Sequence, residues 1–173
     1  MPKIIKEIYG KIMACTKQYM LENGNDQFSL RMIAKECGIA VGTIYNYFEN
    51  KEMLIAMIHL EDWKKSMVKI DEEFLSISSL KDGIMVIYAS ILDFCDTYGK
   101  YWNQTQHESS LIKSRHYLVQ EQIVEKVNKL LDLFECHDDK DMSVLLAEMI
   151  LIAATTPNIG KEQLGKFVDR LFK

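Results

Sequence analysis

Residues 30–51 read LRMIAKECGIAVGTIYNYFENK, and this stretch decides the fold. Leu30, Ile33, Ala34 and Cys37 recur at helical spacing and give one helix an apolar face. Ser29 stands just ahead of it, where a hydroxyl can accept from the free amides of a first turn. Gly38 marks the point where the chain must reverse. A left-handed backbone there costs a side-chain-bearing residue about 1 kcal/mol or more. Residues 41–48 form a short second helix, which Ile44 pins back onto the first. A small residue at Ala34, a glycine four positions later and an aliphatic six beyond that match a helix-turn-helix. An ordinary helical hairpin with a glycine turn has the same spacing, so spacing alone leaves both readings open.

Working outward, residues 3–23 read as a helix. Ile5, Ile8, Ile12, Cys15 and Tyr19 step by three and four along it, and Asn23-Gly24 stops it. Asn50 caps a fourth helix over residues 51–74. Ser79 and Asp82 have capping-box spacing and open a helix that the pattern ends at Gly99. A less regular helix covers 101–114, an amphipathic one 115–135, and a polar turn 136–139. Residues 141–155 are nearly all apolar, Pro157-Asn158 breaks the run, and 161–172 closes the chain. With two prolines and eight glycines in 173 residues, little interrupts long helices. The predicted class is all-α: an N-terminal three-helix head over residues 1–50, joined to a helical-bundle body over 51–173. The two share the fourth helix and have no loose linker between them.

Composition narrows the function classes. Hydrophobic residues make up 48% and charged residues 27%, which is globular and not disordered. The net charge of −4 is unevenly spread. Residues 1–60 carry seven Lys/Arg against six Asp/Glu, so the acidity belongs to the remainder. A near-neutral head on an acidic body suits a chain that presents one end to a polyanion. Cys15, Cys37, Cys95 and Cys136 form no CxxC pair and fit no zinc frame; they read as reduced, packed thiols. No apolar run reaches the ~18 residues of a membrane span, and no signal peptide is visible. The expected location is cytoplasmic.

Gly42-Thr43-Ile44-Tyr45-Asn46-Tyr47-Phe48, followed by Asn50-Lys51-Glu52 and Leu54, resembles the recognition-helix motif of the TetR family of repressors. Ser29, Ile33-Ala34 and Gly38-Ile39 fit the same pattern. The resemblance covers residues 3–60 in detail and the rest only as a helical domain of suitable length. It implies a DNA-reading head and a dimerising body with a ligand pocket. The residue chemistry agrees. Gly42 lets the helix approach a groove floor, and Thr43 suits a phosphate or a thymine methyl. Tyr45 and Tyr47 offer hydroxyls to phosphate oxygens, and Lys51 adds a charge at a helix start. Asn46 lies on the same reading helix. Ser29 doubles as cap and phosphate donor, and Arg31 is the candidate for a guanine edge. Phe48 and Ile44 are core. Two positions depart from the pattern: Ala40 stands where a capping Ser or Thr is usual, and Val41 where a polar or basic residue is common. Val41 either touches a thymine methyl or packs against the head.

In the body, Tyr88, Phe94, Tyr98, Trp102, His107 and Tyr117 are the candidate pocket residues, against the alternative of a solid core. Trp102 is singled out as bordering the cavity. Ile150, Ala154, Leu164, Phe167, Val168 and Leu171 are the candidate dimer interface, against the alternative that these helices are central in one chain. His107, Glu108 and His116 lack a metal-ligand spacing. No catalytic residue, metal or cofactor is expected. The expected partners are a palindromic DNA duplex, a small-molecule effector and a second copy of the chain. Control by a protein partner, or a helix-turn-helix that no longer binds DNA, remain the alternatives.

Overall fold

The computed structural model describes residues 6–23, 27–104 and 109–172, with side chains at 99–104 and 109–117 left aside. Every regular element among them is helical: α1 (Lys6–Asn23), α2 (Leu30–Glu36), α3 (Val41–Tyr45), α4 (Lys51–Glu73), α5 (Leu80–Gln104), α6 (Ser109–Leu133), α7 (Ser143–Thr155) and α8 (Lys161–Leu171). Short 3-10 turns follow α4 and precede α7. The chain divides into two compact units, Met1–Trp63 and Lys64–Lys173. The division falls inside α4. No proline or glycine marks that point, so the sequence carries no local sign of it.

In the head, α2 packs on α1 and α3. The buried side of α1 is Ile12, Met13, Thr16 and Met20. This stripe is turned by about one residue from the Ile8–Ile12–Cys15–Tyr19 line. Thr16 explains the difference, because its hydroxyl donates to the Ile12 carbonyl at 2.7 Å and can be buried without loss. Ser29 caps α2 by accepting from the Met32 amide at 3.3 Å. Gly38 takes φ +63°, the left-handed conformation expected of it. Ile33, Ala34 and Ile44 are fully buried, and Phe48 nearly so.

In the body, α7 packs against α5 and α6, and α8 against α5 and α7. Gly83 lets α5 approach α6. A Cβ there would fall well inside contact distance of Leu130 Cδ1, and Leu130 is itself fully buried. The Ser79 hydroxyl accepts from the Asp82 amide at 3.1 Å, starting α5 as expected. Two boundaries differ from the sequence reading. α5 runs through Gly99 to Gln104, and α6 is continuous across residues 114–115. One glycine costs a helix only about 1 kcal/mol, too little to stop it.

Of the candidate interface residues, Ile150, Ala154, Leu164 and Val168 are buried within the chain itself. Phe167 and Leu171 are half-buried. The apolar side chains that α7 leaves exposed are Val144, Leu145 and Ile152. Leu145 and Ile152 are two turns apart on one face of α7.

Candidate nucleic-acid interface

The head builds a row of accessible side chains on a locked support. Ile44 and Phe48 anchor α3 from below, while Val41, Gly42, Tyr45 and Asn46 are exposed above. Thr43 and Tyr47 are half-buried at the edge of the row. Arg31, in the first turn of α2, and Ser29 are also exposed. Val41 is 39% exposed. Gly42 faces open space: a Cβ built there meets nothing within 4 Å. Ala40 has the extended backbone of an N-cap but supplies no side-chain bond. The missing hydroxyl at the start of α3 is therefore a real departure.

Lys51 is placed differently from a free phosphate contact. It is half-buried, and its Nζ lies 4.7 Å from the centroid of the Phe28 ring. A cation over an aromatic face is held there by the ring quadrupole. Asn50 Oδ1 accepts from the Met53 amide at 2.7 Å, so α4 begins where the sequence placed it.

Tyr9, which the sequence reading passed over, supports the row from α1. Its ring stacks on Phe48 at 5.5 Å and lies 6.5 Å from Tyr47. Burial, and then the Glu61 carboxylate that its hydroxyl bonds to, raise the Tyr9 hydroxyl above its ordinary value. Tyr9 follows Ile8 and so lies off the apolar stripe that a hydrophobicity pattern picks out. Lys17 and Asp62 form a 2.5 Å ion pair that fastens α1 to α4 within the head.

Phe94 and Tyr98 pack one turn apart on α5, with ring centroids 5.0 Å apart. Tyr88, largely buried, lies elsewhere on α5. It lines an open cleft of about 310 Å³ with Met85, Leu92, Asp93 and Lys161. His107 and the side chains of Trp102 and Tyr117 lie outside the described residues. Among the described residues, no three His, Cys, Asp or Glu side chains gather to hold a metal. No helix among them is long and apolar enough to cross a membrane.

Comparison with known proteins agrees with this geometry. Residues 12–58 match the sequence family described as bacterial regulatory proteins, tetR family. The fatty acid metabolism regulator protein of Bacillus subtilis is 29% identical over 79 residues, 46% of this chain and 41% of that one. The HTH-type transcriptional regulator UidR of Escherichia coli is 34% identical over 62 residues, 36% of this chain and 32% of that one. The chain thus matches less than half the length of these relatives. Likeness in fold extends much further. The crystal structure of the Bacillus subtilis regulator FadR with stearoyl-CoA superposes with a TM-score of 0.62, covering 94% of this chain and 96% of that one at 18% identity. At that identity the likeness shows the fold alone.

Proposed function

Because residues 12–58 match the tetR family of bacterial regulatory proteins, we propose that the chain is a sequence-specific DNA-binding transcriptional regulator, a cytoplasmic homodimer that represses from a palindromic operator until a small-molecule effector releases it. One observation carries this reading. Arg31, Val41, Gly42, Tyr45 and Asn46 are exposed around a turn whose buried side is fully packed. Such a short helix presents groove-compatible groups without relying on its own stability. Arg31 matches a guanine edge and Val41 a thymine methyl, while Tyr45, Tyr47, Thr43 and Ser29 offer hydroxyls to phosphates. Lys51 must leave the Phe28 ring to reach a phosphate, or else act at a distance.

The dimer is assigned to the exposed stripe of α7, Leu145 and Ile152, with Phe167 and Leu171 of α8 beside it in the chain's order. The effector site is assigned to the body, with Tyr88, Phe94, Tyr98, Trp102, His107 and Tyr117 as its candidates. The effector acts by binding the DNA-free arrangement more tightly than the DNA-bound one.

The test is binding to a short mixed-sequence duplex at rising salt. Affinity should fall steeply as counterions compete for the phosphates. Tyr47→Ala should weaken binding to all sequences alike, because a phosphate contact carries no base information. Salt-insensitive binding, or none, would overturn the reading. A changed base preference with unchanged affinity would overturn the role of Tyr47.

A further inference from the structure

Cys37 follows α2 directly before Gly38, and 1% of it is exposed. Its sulfur lies 3.9 Å from the Lys11 carbonyl of α1. In a helix that carbonyl faces the amide four residues on, which here is that of Cys15. The Cys15 thiol is close enough to help raise the Cys37 thiol above its ordinary value. Neither is in a disulfide, and Cys15 is half-buried where Cys37 is fully buried. Neither belongs to the proposed DNA-reading row.

We propose that Cys15 and Cys37 form an oxidisable thiol pair that a peroxide converts into a disulfide inside the head, and that this bond weakens DNA reading by displacing the turn between α2 and α3. The second half rests on the function proposed above; the first half does not.

The exposures assign the two roles. Cys15 can meet the oxidant. Burial first, and then the neighbouring Cys15 thiol, push Cys37 up to about 11, so it stays protonated and follows as the resolving thiol. The Cys15 thiolate attacks one peroxide oxygen and the O–O bond breaks. The products are a sulfenic acid on Cys15 and hydroxide, which takes up the proton the thiol gave. The Cys37 sulfur then attacks the Cys15 sulfur. The S–S bond forms, the S–O bond breaks, and the departing hydroxide carries off the Cys37 proton as a second water. Two electrons pass from the thiol pair to the peroxide. A disulfide needs its sulfurs at about 2.05 Å, well inside any non-bonded contact. The Cys37 backbone must therefore shift or its side chain turn. Its amide is bonded to the Ile33 carbonyl at 2.9 Å, and the next residue is the left-handed Gly38. Any pull on Cys37 thus passes into the turn that aims α3.

The experiment uses the full chain with Cys95→Ser and Cys136→Ser, treated with hydrogen peroxide and digested without reductant. The expected product is one peptide joining Cys15 to Cys37, lighter by two hydrogens and separated again by dithiothreitol. DNA affinity should fall about tenfold on oxidation, as base contacts are misplaced, and return on reduction. Cys15→Ser should abolish both effects. Recovery of the two cysteines unlinked, as thiols or as sulfinic acids, would overturn the thiol pair. A linked peptide with unchanged affinity would overturn the switch. Reduced protein that never binds DNA would contradict the proposed function instead, since the peptide reads the thiol pair without DNA.

Discussion

Gly42 separates what folding needs from what the proposed DNA reading needs. It lies in a helix, has a negative φ, and looks onto open space. Alanine there should leave the head as stable or raise its stability by about 0.5–1 kcal/mol, the usual helical gain over glycine. The same methyl would meet the groove floor first, so DNA affinity should drop about tenfold while the melting temperature does not fall. Loss of both would place Gly42 in the fold and not in the interface. At this scale the sequence was legible wherever a residue has one strong local reason to be where it is. Gly38 needed its backbone, Ser29 its cap, and Ile44 and Phe48 their burial. It was not legible where the reason is a neighbour distant in sequence. Thr16 is core because a carbonyl satisfies it. Tyr9 matters because Phe48 and Tyr47 lie beside it. Lys51 is drawn to Phe28 across the turn.

The elements show the same division. Caps and breakers placed the starts of α2, α4 and α5, and the apolar run placed α7. Gly99 misled because a glycine in a helix is only a modest cost, and α5 continues through it. Gly83 is the opposite case. Nothing in its local pattern marks it, yet α5 and α6 meet at it. Gly83→Ala should destabilise the body by about 1–3 kcal/mol, since Leu130 has nowhere to move. A melting temperature equal to that of the unchanged protein would refute the close approach. A second contact between elements has a pH signature. Burial works to raise the Asp71 carboxyl, but hydrogen bonds from Lys126 and Lys129 of α6 overcome it and hold the carboxyl below its ordinary value of 3.8. A depressed carboxyl contributes stability that is complete above the unfolded value and is lost as pH falls through the folded one. Asp71→Asn should therefore lower the melting temperature at pH 7, and the deficit should shrink below about pH 4. A deficit independent of pH would mean the ion pairs are not its source.

For the whole molecule, the sequence showed that α7 and α8 carry more apolar surface than one wet face allows. It could not tell burial within the chain from burial against a partner. Ile150, Ala154, Leu164 and Val168 are in the chain's own core, and the proposed second copy is assigned to the exposed Leu145 and Ile152. Ile152→Glu should shift the dimer toward a 20.1 kDa monomer in light scattering, because a carboxylate would be buried there without a partner. A two-fold protein reads two half-sites in inverted orientation, and one copy reads one. The most direct measurement is therefore selection from a random duplex library by the unchanged protein and by Ile152→Glu, with the enriched duplexes sequenced. The unchanged protein should enrich an inverted repeat, with half-sites separated by about one helical turn or a multiple of it, and Ile152→Glu should enrich it far more weakly. Enrichment of a single asymmetric site by both proteins, or of no sequence at all, would contradict a dimeric helix-turn-helix reader.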